Sequence, residues 1–319
     1  MDRTFHWFYL AHLGYNMWEE PQVDKFGIHN MMNRNLHISA SDTLRFEEDY
    51  WQELTRQLKA AGCTAILLDL GEGVRYDSHP ELVVKGSWSK EKLAGELARL
   101  RGEGFAVYPK LNFSAGHDQW LGEYSRMVST SVYYQVVRDL IDEAAELFDT
   151  PAYFHLGMDE EMYRNQTEYN FVVIRQGEQW WHDLNLMFRE VLHTGSRPWI
   201  WSDYGWWHRE EFFSKMSKDA VQSNWYYNHF HLEQFRNRIT LYDDLEKAGF
   251  DQVPTSSITE HVDGFQQTMR YCHDHISPER CLGYMQTVWA PTLRHYAENH
   301  NTAVSDLREG IEIYRELNR

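Results

Sequence analysis

Tyr153-Phe154-His155-Leu156-Gly157-Met158-Asp159-Glu160-Glu161 is an apolar, aromatic run that ends abruptly in three acidic residues. Aromatic and aliphatic residues favour a buried strand, and such a strand cannot carry three unpaired carboxylates in its interior. The run therefore reads as a core strand whose C-terminal end delivers carboxylates into a cleft. Working outward, the same form recurs on both sides. Before it, strands are expected at 5–10, 63–70 and 105–111, with helices at 46–61, 89–101 and 132–148 between them. Asp42 stands near the start of the first helix, Gly62 closes it, and Ser89 is placed to cap the second. After it come strands at 198–201, 220–225, 252–257 and 282–288. Helices are expected at 178–192, 210–216, 241–248, 264–275 and 302–317.

Eight strands, each followed by a helix, imply a parallel sheet with right-handed crossovers. In a chain of 319 residues that count points to a closed (β/α)8 TIM barrel. A doubly wound open sheet is the rival, but no glycine-rich dinucleotide turn follows the first strand. No linker rich in Pro, Gly or Ser divides the chain, so one domain is expected. The connection over 14–43 is too long for a compact turn and reads as a functional loop.

The net charge of −17 lacks the basic footprint that nucleic acids or anionic membranes need. No stretch is long and apolar enough to span a membrane. The first residues lead straight into a strand rather than a signal peptide; if Met1 is the natural start, the expected location is the cytoplasm. The odd count of cysteines, Cys63, Cys272 and Cys281, argues against a disulfide framework. Cys272-His273-Asp274-His275 would place ligands on different helix faces, so neither a metal nor another cofactor is expected. The chain holds 13 Trp, 19 Tyr and 16 Phe, many in polar company. That combination suits a pocket gripping the apolar faces of a polar ligand.

In a (β/α)8 barrel the site lies at the C-terminal strand ends. Those ends carry Asp69, Glu72 and Arg75; Asn112, His117 and Asp118; Asp159 to Glu161; Trp201 and Asp203; Trp225, Tyr226 and Tyr227; and Gln286 and Trp289. Flat aromatic walls with fixed polar groups are the composition of a carbohydrate pocket. Trp201, Trp225 and Trp289 are candidate ring-stacking walls, and Asp203 is a candidate to bind a hydroxyl or orient a neighbour. Trp206-Trp207-His208 is a candidate for the pocket mouth or for a contact in a homo-oligomer.

His155-Leu156-Gly157-Met158-Asp159-Glu160 resembles the His-x-Gly-Gly-Asp-Glu signature of glycoside hydrolase family 20, the β-N-acetylhexosaminidases. The stretch from Tyr108-Pro109-Lys110-Leu111-Asn112 to Gly116-His117 is similar to the family's strand-three Pro-Glu-Ile-Asp…Pro-Gly-His segment. Leu68-Asp69-Leu70-Gly71-Glu72-Gly73-Val74-Arg75 resembles its Asp-Asp-x-Gly-x-Arg segment. The resemblance implies a retaining, exo-acting enzyme on N-acetylhexosamine-type sugars, in which the substrate's 2-acetamido oxygen is the nucleophile. It assigns Glu160 as general acid and later base, and Asp159 as the partner of the acetamido N–H. Tyr226 or Tyr227 would bind the acetamido oxygen, and Arg75 the ring hydroxyls, with His117 beside them.

The chain departs from the pattern at four places. Met158 stands where the family has Gly, and Lys110 and Asn112 replace acidic residues. Trp289-Ala290-Pro291 lacks the acid that often follows the tryptophan, and no N-terminal accessory domain is present in the sequence. Three other readings follow from the same residues: a glycosidase of altered specificity, a non-catalytic carbohydrate-binding barrel, and a metal-dependent sugar isomerase. Cleavage of other glycosides, ligand binding indifferent to Glu160→Gln, and chelator-sensitive activity would mark them in turn.

Overall fold

The computed structural model describes residues 3–18, 40–162, 173–258 and 263–319. Eight parallel strands form the barrel: β1 His6–His12, β2 Ala65–Asp69, β3 Ala106–Lys110, β4 Tyr153–His155, β5 Arg197–Trp201, β6 Val221–Ser223, β7 Thr255–Ser257 and β8 Gly283–Thr287. They run in the order β6-β5-β4-β3-β2-β1-β8-β7. The ring closes between β6 and β7 through Gln222 N to Asp251 O (2.9 Å), Val253 N to Gln222 O (2.9 Å) and Thr255 N to Asn224 O (3.0 Å). Among the described residues the α-helices are α1 Glu48–Ala61, α2 Lys90–Gly102, α3 Ser131–Leu147, α4 Glu178–His193, α5 Tyr204–Trp207, α6 Arg209–Lys215, α7 Arg236–Ala248, α8 Gly264–His275 and α9 Ala297–Leu317. The architecture is the expected (β/α)8 TIM barrel.

Local rules account for most of the boundaries. Ser89 caps α2 by accepting from Lys92 N, and Thr130 does the same for α3 from Tyr133 N. Gly62 ends α1 in the left-handed conformation that glycine adopts without strain. Asp42 takes no part in starting α1, which begins at Glu48 without a side-chain cap. There α1 is held by packing, with Tyr50, Trp51, Leu54 and Leu58 on its buried face. The pair Trp180 and Trp181 is likewise packed inside, whereas Trp207 is 57 % exposed.

Alternation along the strands splits the core in two. Phe8, Leu10, Leu67, Tyr108, Tyr153, Trp199, Trp201 and Met285 fill the barrel interior. Tyr9, Ile66, Leu68, Phe154 and Ile200 belong to the larger cluster packed against the helices. Toward the C-terminal end the interior turns polar. His12, Asp69, Lys110 and His155 stand in register on four adjacent strands. Lys110 is fully buried and pairs with Asp69, which also faces His12 Nδ1 at 3.3 Å. A buried ammonium persists only with such a partner.

Candidate active site

Beyond His155 the chain turns sharply. Gly157, Met158 and Glu160 have φ of +75°, +68° and +52°, a conformation costly for the two non-glycine residues. The turn distributes the acidic triplet. Asp159 and Glu160 face a cleft of ≈ 350 Å³ at the C-terminal strand ends, within the range of about 300–1,000 Å³ of small-molecule sites. Glu161 turns into the body of the protein, where it accepts from Ala115 N (2.8 Å) and pairs with buried Arg175. Met158, in the place of the family's glycine, is itself buried, with its sulfur 3.4 Å from an Arg175 nitrogen.

His117 joins the two cleft carboxylates. Its Nδ1 lies 3.1 Å from Asp159 Oδ2 and its Nε2 3.3 Å from Glu160 Oε2. Asn112 Nδ2 donates to Asp159 Oδ1 at 3.1 Å. Burial alone would raise the Asp159 carboxyl, but the charge and hydrogen bond of His117, helped by Lys110 and Asn112, hold it down at about 2. Burial opposes protonation of His117, and the two carboxylates outweigh it, lifting the imidazole well above its ordinary value. Asp203 behaves in the opposite way. Burial, then the charge of Asp159, push its carboxyl up to about 8. Asp203 accepts the backbone N–H of Glu160 (2.8 Å) and the indole N–H of Trp225 (3.3 Å), so it positions the strained turn and an aromatic wall together.

The apolar lining is Trp201, Trp225, Tyr227 and Trp289. The rings of Trp225 and Tyr227 stack at 4.9 Å, Trp201 and Trp289 meet at 6.1 Å, and Trp289 Nε1 donates to the Tyr227 hydroxyl at 3.2 Å. Met17 and Trp18 from the segment after β1 reach the same cleft. The buried carboxylate of Glu72 fixes that segment by accepting the backbone N–H groups of Tyr15 (2.8 Å) and Asn16 (3.1 Å). Residues 19–39 of the long loop lie outside the described residues.

Two sequence expectations are corrected. Tyr226 faces away from the cleft, buried, with its hydroxyl donating to His229 O at 3.1 Å. The cause is strand parity: Val221, Trp225 and Tyr227 share the inner face and Tyr226 takes the outer one. Arg75 is exposed outside the cleft, its Nε donating to Ser87 O at 3.0 Å. The arginine that lines the cleft is instead Arg238, in the first turn of α7. Sequence reading, which placed only 241–248 within this helix, did not single it out.

No protein-family model and no curated protein sequence matches the chain. Solved structures do match in fold. A family 20 exo-β-N-acetylglucosaminidase from Vibrio harveyi superposes with a TM-score of 0.58 at 13 % identity, over 82 % of this chain and 52 % of that one. The chitobiase of Flavobacterium johnsoniae gives 0.55 at 14 % identity, over 84 % and 50 %. The chain thus spans about half the length of both. A third structure, XacCel5A, matches at 0.53 with 10 % identity over 80 % of this chain and 90 % of that one. At such identities the likeness is one of fold: the chain is a (β/α)8 barrel, and its resemblance to family 20 rests on the strand-end motifs alone.

Proposed function

We propose that this protein is a retaining glycoside hydrolase of 2-acetamido sugars that uses the substrate's own acetamido oxygen as nucleophile. The observation that carries the reading is the adjacent Asp159–Glu160 pair, bridged by His117 within one aromatic-walled cleft. Glu160 protonates the glycosidic oxygen as the C1–O bond breaks, while the acetamido oxygen closes on C1. Asp159, kept ionised, accepts the acetamido N–H and balances the positive charge that spreads over the cyclised group. Tyr227, whose phenolic oxygen accepts from Trp289 Nε1, donates its hydroxyl proton to the acetamido oxygen. Glu160 then takes a proton from water, which opens the ring from the face the leaving group left. Trp201, Trp225 and Trp289 hold the sugar faces.

The test is hydrolysis of aryl β-glycosides with and without the 2-acetamido group by the wild type, Asp159→Asn and Glu160→Gln. Cleavage confined to 2-acetamido substrates and lost in both variants supports the reading. Cleavage of plain glycosides replaces it with a glycosidase of altered specificity, a second reading favoured by Arg75 lying outside the cleft. Sugar binding with no cleavage would leave a carbohydrate-binding barrel.

A further inference from the structure

Arg238 is out of place by every local rule. It sits in the first turn of α7, where the helix dipole disfavours cations and no acidic residue stands; neighbouring Arg236 pairs with Glu233 at 3.2 Å. Among the described residues its guanidinium makes no ion pair, and its buried Nε has no hydrogen-bond partner. It is nevertheless held: the guanidinium carbon lies 4.3 Å from the centroid of the Trp206 ring and 4.7 Å from that of Phe235. Trp206 is itself anchored through Nε1 to Asn224 Oδ1 at 2.8 Å, and Asn224 Nδ2 donates to the carbonyl of Arg238 at 2.8 Å. Aromatic contacts and a backbone tether thus fix a charged fork that lines the cleft. Burial costs this cation, lowering its proton affinity, and the neighbours that favour it (Tyr226, Asp203 and Glu160) only offset that in part. Local rules broken without internal compensation mark a site built for something outside the chain.

The charge balance of the cleft points the same way. The imidazolium of His117 cancels Asp159, and Lys110 cancels Asp69 below them. Burial and the charge of Asp159 favour the protonated form of Asp203. Arg238 has no such ion-pair partner among the described residues. A neutral hydroxyl would leave that charge uncompensated; a carboxylate or sulfate would neutralise it and match the planar fork with paired hydrogen bonds.

We infer that the cleft takes a 2-acetamido sugar bearing, on itself or on the adjoining residue, a fixed anionic group of the carboxylate or sulfate type, bound by Arg238. The inference rests on the glycosidase reading for the sugar class, but its test does not require turnover. Calorimetry would measure binding of N-acetylglucosamine, N-acetylglucosamine 6-sulfate and a β-N-acetylglucosaminyl-glucuronate disaccharide to wild type, Arg238→Gln and Arg238→Lys. One charge-assisted contact is expected to favour an anionic ligand by about tenfold or more. The preference should vanish in Arg238→Gln, fall partway in Arg238→Lys, and shrink as salt is raised. The sulfate and uronate arms report whether the anion sits on the 2-acetamido sugar or on its neighbour. Equal affinity for charged and neutral ligands, no binding of any, or a preference unchanged in Arg238→Gln overturns the inference. Anion-selective binding without cleavage would instead uphold it while removing the hydrolase reading.

Discussion

Gly157→Ala tests how the turn after β4 builds the site. A Cβ on Gly157 would lie 2.0 Å from Asn112 Oδ1, 2.5 Å from Asn112 Cγ and 3.0 Å from Asn112 Cα. Asn112 cannot simply move. Its Nδ2 donates to Asp159 at 3.1 Å and its Oδ1 accepts from Ser114 N at 3.0 Å. The backbone adds a second obstacle, since φ is +75°. Left-handed backbone costs a non-glycine residue about 1–2 kcal/mol and overpacking about 1–3 kcal/mol, so about 2–5 kcal/mol of stability should be lost. Displacing Asn112 also frees Asp159, so kcat should fall more than KM rises. Urea denaturation followed by tryptophan fluorescence gives the first quantity and steady-state hydrolysis the second. Gly95→Ala is the control: Gly95 lies within α2 with nothing within 4 Å of an added Cβ. It should be neutral or stabilising by up to about 1 kcal/mol. If Gly157→Ala falls within about 0.5 kcal/mol of wild type, as an ordinary surface change would, the argument that glycine is required there is refuted.

Two further outcomes concern the buried charges. Lys110→Met should destabilise the fold by about 3–5 kcal/mol, because Asp69 would be left as a buried charge without its cation. Urea denaturation reads this directly; a loss below about 1 kcal/mol, the scale of an exposed ion pair, would show that the pair is not what holds the upper barrel. Stability should also fall as pH rises through neutrality. Burial raises Asp203 from 3.8 to about 8 and Asp118 from 3.8 to about 7. Their folded forms therefore hold protons that the unfolded chain has released, and the associated stability, complete below about pH 4, is lost progressively from there up to pH 7–8. Asp203→Asn should flatten the pH dependence of stability over that window; an unchanged slope would mean Asp203 is already ionised in the folded protein.

The barrel was legible because its strands are short runs of aromatic and β-branched residues, and its helices carry apolar stripes and ordinary ends. Ser89 and Gly62 behave as their side chains dictate. The carboxylates after Phe154 were legible for the opposite reason: they break the apolar pattern. Tyr227 could have been separated from Tyr226 by carrying the period of two forward from Val221, since pairing with β7 continues as far as Tyr226 N to Thr255 O at 3.2 Å. Arg238 had a fainter signal. Helix α7 follows Phe235, which supplies no capping side chain, and opens with arginines, so its first turn does not look like a helix start. Met17 and Trp18 gave none, because their approach depends on Glu72, 55 or so positions away, gathering the Tyr15 and Asn16 amides. The replacement of acids by Lys110 and Asn112 has a structural sequel: Lys110 pairs with Asp69 across the strand, and Asn112 pairs with Asp159 itself.

The most direct measurement is kcat/KM on a series of aryl β-glucosaminides whose N-acetyl group carries zero, one, two or three fluorines. Fluorine withdraws electrons from the amide oxygen and weakens it as a nucleophile without greatly altering its size. If that oxygen attacks C1, as the Asp159–Glu160–Tyr227 arrangement is proposed to allow, the rate falls steeply with each fluorine. A rate that stays flat across the series would contradict substrate-assisted catalysis and require a nucleophile from the protein or from water.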